Sequence, residues 1–332
     1  MINARAMRRG VMIAGLSCLS VAISRGQEPQ EPLATQFVVE IDYGQARLYG
    51  RDLDYAFIDP VGGLSGGGEV QNLDFDAHEL PAFGIGWKLP GAKQRWLDVQ
   101  FSRWEGRDTA DTGTRPGQVG ALWASPDFAI GRSLVDRASA VATNRAGSYS
   151  VRLAWQLGQA GGPEIRLAGG VRAVRFEEES LITYRAERSG QRLQEVVSHR
   201  QDVRGWGPDV TISWSDQFGR RVRLGASGEA AILIGRIDLD ASDQAFIDGS
   251  FDRATIATRD DQRQDLMLLG AALTLDVMIT RHFSLGAGYR YERWSGVSER
   301  VQFLDDVSQN SATISEGRAT IAGPSLRLRC LW

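Results

Sequence analysis

From Ala34 to its last residue the chain alternates, with apolar side chains at every second position and polar or charged ones between them. A period of two belongs to strands with one dry and one wet face. Ten segments carry the pattern. The first sets Phe37, Val39, Ile41 and Tyr43 against Glu40 and Asp42, and the second sets Phe83, Ile85 and Trp87 against Gly84, Gly86 and Lys88. In the third, Leu97, Val99 and Phe101 oppose Asp98 and Gln100; in the fourth, Tyr149, Val151, Leu153 and Trp155 oppose Arg152. Ile165, Leu167, Val171 and Ala173 stand opposite Arg166 and Arg172, and the sixth segment carries Trp206, Val210, Ile212 and Trp214 around Asp209. Val222, Leu224, Ala226, Ile232 and Ile234 then face away from Arg221, Arg223 and Glu229. Met267 to Val277 alternate against Thr274 and Asp276, and Phe283 to Tyr291 against Arg290 and Glu292. The tenth segment, AGPSLRLRCLW, puts Leu326, Leu328, Cys330 and Trp332 on one face and Arg327 and Arg329 on the other.

Connection lengths turn these segments into an architecture. Short turns (LPGAKQ, GQAGGP, SDQFG, TRH) alternate with long connections, and an even number of strands leaves both termini on the short-turn side. That asymmetry predicts an all-β fold, an antiparallel up-and-down transmembrane β-barrel with short periplasmic turns and long extracellular loops. About ten strands are expected, or twelve if residues 105 to 145 hide a further hairpin in ASPDFAIGRSLV. Residues 177 to 202 alternate on both sides of SGQ, which predicts a hairpin continuing beyond the membrane. VGGLSGGG, residues 61 to 68, lacks the lysine and the following helix that a phosphate-binding loop requires.

Composition agrees with the pattern. The chain has 38 glycines, 10 prolines and two cysteines, and its nine tryptophans and seven tyrosines suit aromatic girdles at a membrane interface. No apolar stretch approaches the roughly 20 residues of a membrane helix. The amino terminus reads as an export leader: Arg5, Arg8 and Arg9 precede the apolar run 11–24, and Ala22 and Ser24 are small residues at the cut. The expected organisation is a signal peptide over 1–26 and one barrel domain over 27–332. Cleavage leaves Cys330 as the one cysteine, so an intramolecular disulfide is ruled out. The net charge of -3 includes the leader's arginines, so the mature chain is more acidic, which argues against nucleic acid as a partner.

On a barrel the polar face lines the lumen. The candidate lumen-lining residues are Glu40, Asp42, Asp98, Arg152, Arg166, Arg172, Arg221, Arg223, Glu229, Asp276, Arg290, Glu292, Arg327 and Arg329. Closure makes the first and last strands neighbours, which predicts ion pairs joining Glu40 and Asp42 to Arg329 and Arg327. Two readings of the interior stand side by side: an open pore whose acidic wall faces a basic one, or a narrow barrel whose charges pair as a polar core. A protease like the omptins would need Asp74 and Asp76 with His199 and Asp202; His199 and Asp202 fall on opposite faces of one strand.

The segments FVVEIDYGQARLYGRD, GWGPDVTISWS and FSLGAGYRYERWSG, with the terminal strand, resemble the pore-forming outer-membrane barrels of the Legionella major outer membrane protein kind. That resemblance implies a passive channel or abundant surface protein of the bacterial outer membrane, with no cofactor and no catalytic residues; no metal is expected either, since His78 and His282 have no metal-ligand spacing around them. Its partners would be outer-membrane lipid, small hydrophilic solutes and the barrel-assembly machinery, which would read Leu326, Leu328 and Trp332. A closed structural or adhesive barrel displaying long loops is the alternative.

Overall fold

The computed structural model describes residues 37–49, 53–59, 69–73, 75–90, 94–124, 134–157, 162–303 and 312–332. The expected leader and the glycine-rich stretch 61–68 lie outside them. Among the described residues there are thirteen strands: β1 Phe37–Tyr49, β2 Leu53–Ile58, β3 Glu69–Leu73, β4 His78–Lys88, β5 Arg95–Asp111, β6 Val119–Ala121, β7 Arg137–Leu157, β8 Glu164–Arg188, β9 Gln191–Phe218, β10 Val222–Ile247, β11 Ser250–Thr280, β12 Phe283–Phe303 and β13 Ala312–Leu331. Ten of them close an antiparallel barrel in the order β1-β13-β12-β11-β10-β9-β8-β7-β5-β4. The remaining three form a separate small sheet, β3-β2-β6.

The barrel therefore has ten strands, not twelve. The ring closes without a further hairpin from residues 105 to 145; most of ASPDFAIGRSLV, residues 125–133, lies outside the described residues, and on either side of it β5 and β7 stay paired from Arg95↔Trp155 up to Asp111↔Ser139. Inward positions there are small, namely Ala138, Ala140, Ala142 and Ala146. Such weak alternation reads as loop in a sequence, and in the fold it makes room for the small sheet. The hairpin expected over 177–202 is present, with β8 and β9 paired to Arg188↔Gln191. Ser189 and Gly190, both at positive φ, make its two-residue turn.

Outward side chains form the apolar band. Tyr149, Val151, Trp155, Trp206, Val210, Ile212, Leu273, Leu275 and Leu326 are all exposed on the outer face, where a transmembrane barrel meets lipid. Closure depends on one close approach. A Cβ at Gly323 of β13 would stand 1.9 Å from the Gln45 carbonyl oxygen of β1, so only glycine lets these two strands meet.

On the extracellular side the interior holds an apolar core, the opposite of a water-filled mouth. Inward residues of the long strands, including Trp104, Phe176, Ile182, Leu233, Ile237, Leu268 and Trp294, pack with Tyr55, Leu73 and Phe75 from the small sheet and its flank. Hydrogen bonds lock the sheet in place: the Tyr184 hydroxyl donates to the Tyr55 carbonyl (2.6 Å) and the Trp123 indole to the Asp54 carbonyl (2.7 Å). Burial pushes the Tyr184 hydroxyl pKa up, so it remains a donor. Phe176 on β8 and Trp294 on β12 reach across the barrel to 6.4 Å between ring centroids.

Candidate functional site: the charged interior

Below this core the inward face turns polar, because glycine and serine replace alanine and leucine there and long charged side chains fill the space they leave. A cavity of about 230 Å³ lies here, lined among others by Asp42, Asp98, Arg166, Glu229, Asp276 and Arg327. Its periplasmic end is narrowed by Val38, Trp96, Ala154 and Ala168, which pack together, and the Arg166 guanidinium lies 5.2 Å from the Trp96 ring centroid.

The seam carries the expected pairs. Arg327 binds Asp42 through two hydrogen bonds, 2.8 and 3.1 Å, and Arg329 stands 3.0 Å from Glu40. Register explains it: Glu40 is opposite Arg329 and Asp42 opposite Arg327 when β1 and β13 pair. At the centre, Asp209 accepts from Arg152 (2.5 Å) and lies 3.4 Å from Arg172, while Glu229 takes the other arm of each arginine. Gln100 accepts a further bond from Arg152 at 2.9 Å. Arg166 donates to Asp98 at 2.6 Å. Arg223 reaches both Glu164 (2.5 Å) and the Ser215 hydroxyl (2.7 Å). Arg290 pairs with Glu292 and stands 3.9 Å from Glu229.

Two candidates differ from the rest. Arg221 does not line the interior: it sits exposed in the turn before β10, where its carbonyl accepts the Met278 amide at 2.7 Å. Alternation places it inward, but the strand begins one residue later. Asp276 is buried on β11, its Oδ1 without a hydrogen-bond partner and only 2.0 Å from where a Cβ on Gly286 would sit. Glu164 is a cavity charge missed by the sequence pattern, which also missed Glu178, Glu195 and Asp243, buried inside the barrel nearer its extracellular end. Extending the alternation of Arg166 back by one step, through the turn, would have found Glu164.

The walls thus do not stand as separate acidic and basic fields. Each carboxylate on β1 is tied to β13, Asp98 to β8, and Asp209 and Glu229 to arginines from two strands. Arg152 and Arg172, 3% and 2% exposed, form with Asp209 and Glu229 a polar core in which each charge held out of water needs its partner.

The remaining sequence candidates are placed as follows. Leu326 is exposed on the outer face and Leu328 half-buried beside it; Trp332 exchanges backbone hydrogen bonds with Phe37 (2.9 Å each), their rings 6.0 Å apart. His199 points inward, buried beside Trp123, whereas Asp202 points outward between Arg175 and Arg204. Asp76 is exposed, 3.5 Å from Arg47, and Asp74 lies outside the described residues. Among the described residues, no group of three or more His, Cys, Asp or Glu is placed to hold a metal ion.

A family model described as the Legionella pneumophila major outer membrane protein precursor matches residues 150–330. No curated protein matches the chain. Among solved structures, the outer membrane protease OmpT from Escherichia coli is similar at 10% identity over 92% of this chain and 99% of that one, with a TM-score of 0.49. Neisserial surface protein A (NspA) is similar at 9% identity over 89% and 97%, with a TM-score of 0.29. The Pseudomonas putida toluene transporter TodX is similar at 8% identity over 90% of each chain, also at 0.29.

Proposed function

Because the chain belongs to the family of the Legionella pneumophila major outer membrane protein, a family of the bacterial outer membrane, we propose that it serves there as a closed, non-enzymatic barrel. In this reading residues 1–26 export the chain, residues 27–332 form one domain, the assembly machinery reads the terminal strand, and the long hairpins are displayed at the surface. The observation that carries it is the contact of Phe176 with Trp294 across the interior, above which the small sheet is bonded to Tyr184. A pathway through that level would have to displace buried aromatic rings, whose burial stabilises the fold by about 1.5–3 kcal/mol each.

The second reading is a channel for small hydrophilic solutes, and the charged cavity beneath the aromatic contact favours it. Conductance in planar bilayers separates the two. The purified barrel is expected to insert silently, and the double variant F176A/W294A, which removes the rings, to give ion-conducting steps. Stable steps from the unaltered protein, with unitary size sensitive to Arg172→Gln, would establish the channel instead.

A further inference from the structure

The outer surface just beyond the apolar band carries an arrangement that barrel closure does not require. Following one hydrogen-bonded row from strand to strand, Arg103 on β5 is opposite Gly147 on β7, Gly147 opposite Arg175 on β8, and Arg175 opposite Arg204 on β9. The row continues to Arg236 on β10 and Arg263 on β11. Like charges directly opposite one another destabilise a sheet, so such a row needs a counter-charge.

At the far end of the row Arg236 has Asp261 at 2.8 Å, but nearer Gly147 the protein's own carboxylates supply the counter-charge only in part. Glu105 is shared by Arg103 (2.9 Å) and Arg145 (3.0 Å), Glu177 by Arg145 (3.5 Å) and Arg175 (2.5 Å), and Asp202 by Arg175 (2.7 Å) and Arg204 (2.5 Å). Four arginines thus divide three carboxylates, and each guanidinium has five donors to satisfy. Their side chains remain open to the surroundings, Arg175 at 49% and Arg204 at 62%.

Position decides what could complete the set. One step toward the membrane, the neighbouring row is Phe101, Tyr149, Ala173, Trp206 and Ile234, the end of the lipid-facing band on those strands. Two residues along a strand span roughly 6.6 Å, so the arginines stand where acyl chains give way to headgroups. The row belongs to the extracellular half, on the side opposite both termini. Gly147 interrupts it with a notch: a Cβ there would meet nothing within 4 Å, and Arg103, Arg145 and Arg175 flank the opening.

We propose that this notch is a lipid subsite, in which Arg103, Arg145 and Arg175 hold a phosphate of a phosphorylated glycolipid of the outer leaflet while its acyl chains lie on Phe101 and Tyr149. Arginine forks match phosphate oxygens two at a time, and a bound phosphate supplies the negative charge left short where three carboxylates are shared among four arginines. The partner is a lipid and not free phosphate because the apolar half of the contact is continuous with the band.

The test uses the full-length barrel in phosphatidylcholine nanodiscs, titrated with bisphosphorylated lipid A and with its dephosphorylated form, binding being read by native mass spectrometry. The bisphosphorylated form is expected to bind at least tenfold tighter. Gly147→Glu, which fills the notch with a carboxylate, and Arg175→Gln should each bring that ratio close to one, whereas Arg253→Gln at the far hairpin should not change it. Inorganic phosphate at equal phosphorus concentration should fail to displace the lipid. Equal binding of the two lipids, a ratio unmoved by Gly147→Glu in barrels that still migrate as folded, or displacement by inorganic phosphate would each overturn the proposal.

Discussion

Replacing Asp209 by alanine tests whether the charged interior is a structural core. The Asp209 side chain is fully buried, and the two arginines it serves, Arg152 and Arg172, are 3% and 2% exposed. Its loss leaves both cations to share Glu229, with Gln100 as the one neutral acceptor on Arg152. Removing one member of a buried ionic set costs about 3–5 kcal/mol, most of it the penalty of a charge left without its partner. At a urea slope of about 2 kcal/mol/M the unfolding midpoint should fall by about 1.5–2.5 M. Asp209→Asn, which keeps an acceptor but not the charge, should fall between. The internal comparison is Arg236→Ala, which removes an outward pair with Asp261 whose side chains are 71% and 63% exposed. That pair is worth about 1 kcal/mol or less, a shift of no more than about 0.5 M. Urea gradients on vesicle-reconstituted barrel, read by the folded band on unboiled gels, give both numbers. Equal shifts for the two variants would refute the reasoning, because they would mean that the interior is wet and its charges are screened like surface ones.

Three further outcomes follow from the geometry. Arg327→Asp places a carboxylate beside Asp42 at the closing seam and should lower the midpoint, with the second reversal Asp42→Arg recovering most of the loss. Gly323→Leu should abolish the heat-modifiable folded band, since the new side chain would occupy the place of the Gln45 carbonyl. Arg137 holds the Asp111 carboxyl below its ordinary value chiefly by a direct hydrogen bond. Because the folded pKa lies below the unfolded one, this contact is at full strength above the ordinary carboxylate range near about 4 and is lost as pH falls through the depressed value. Protection from amide exchange at the upper ends of β5 and β7, taken relative to the intrinsic rate at each pH, should therefore be high at neutral pH and lower in acid, and Asp111→Asn should remove that pH dependence.

Much of the barrel could be read from alternation because each spanning strand faces lipid on one side, which demands apolar residues at every second position whatever the neighbours are. Val151 and Arg152 declare their faces without any partner being known. The seam pairs were legible for a related reason: a closed ring must join first strand to last, and counting back from Trp332 sets the register. Arg221 escaped because alternation carries no mark of where a strand starts. Glu164 escaped because it follows a glycine-rich turn. The apolar core was harder to foresee. Trp104, Phe176 and Trp294 sit on the face that is polar lower down the same strands, so a reader extending the membrane pattern upward places water where the protein places rings.

The chain by itself determined the strand periodicity, the approximate strand number, the closing partners and the compartment, since these follow from local pattern and from the length of each connection. Whether the ring is filled was decided only by tertiary structure. It depends on residues far apart in the chain, Tyr55 with Tyr184 and Phe176 with Trp294, meeting inside a ring of fixed circumference. Their meeting is set by shape and packing density in three dimensions, to which a period of two is blind.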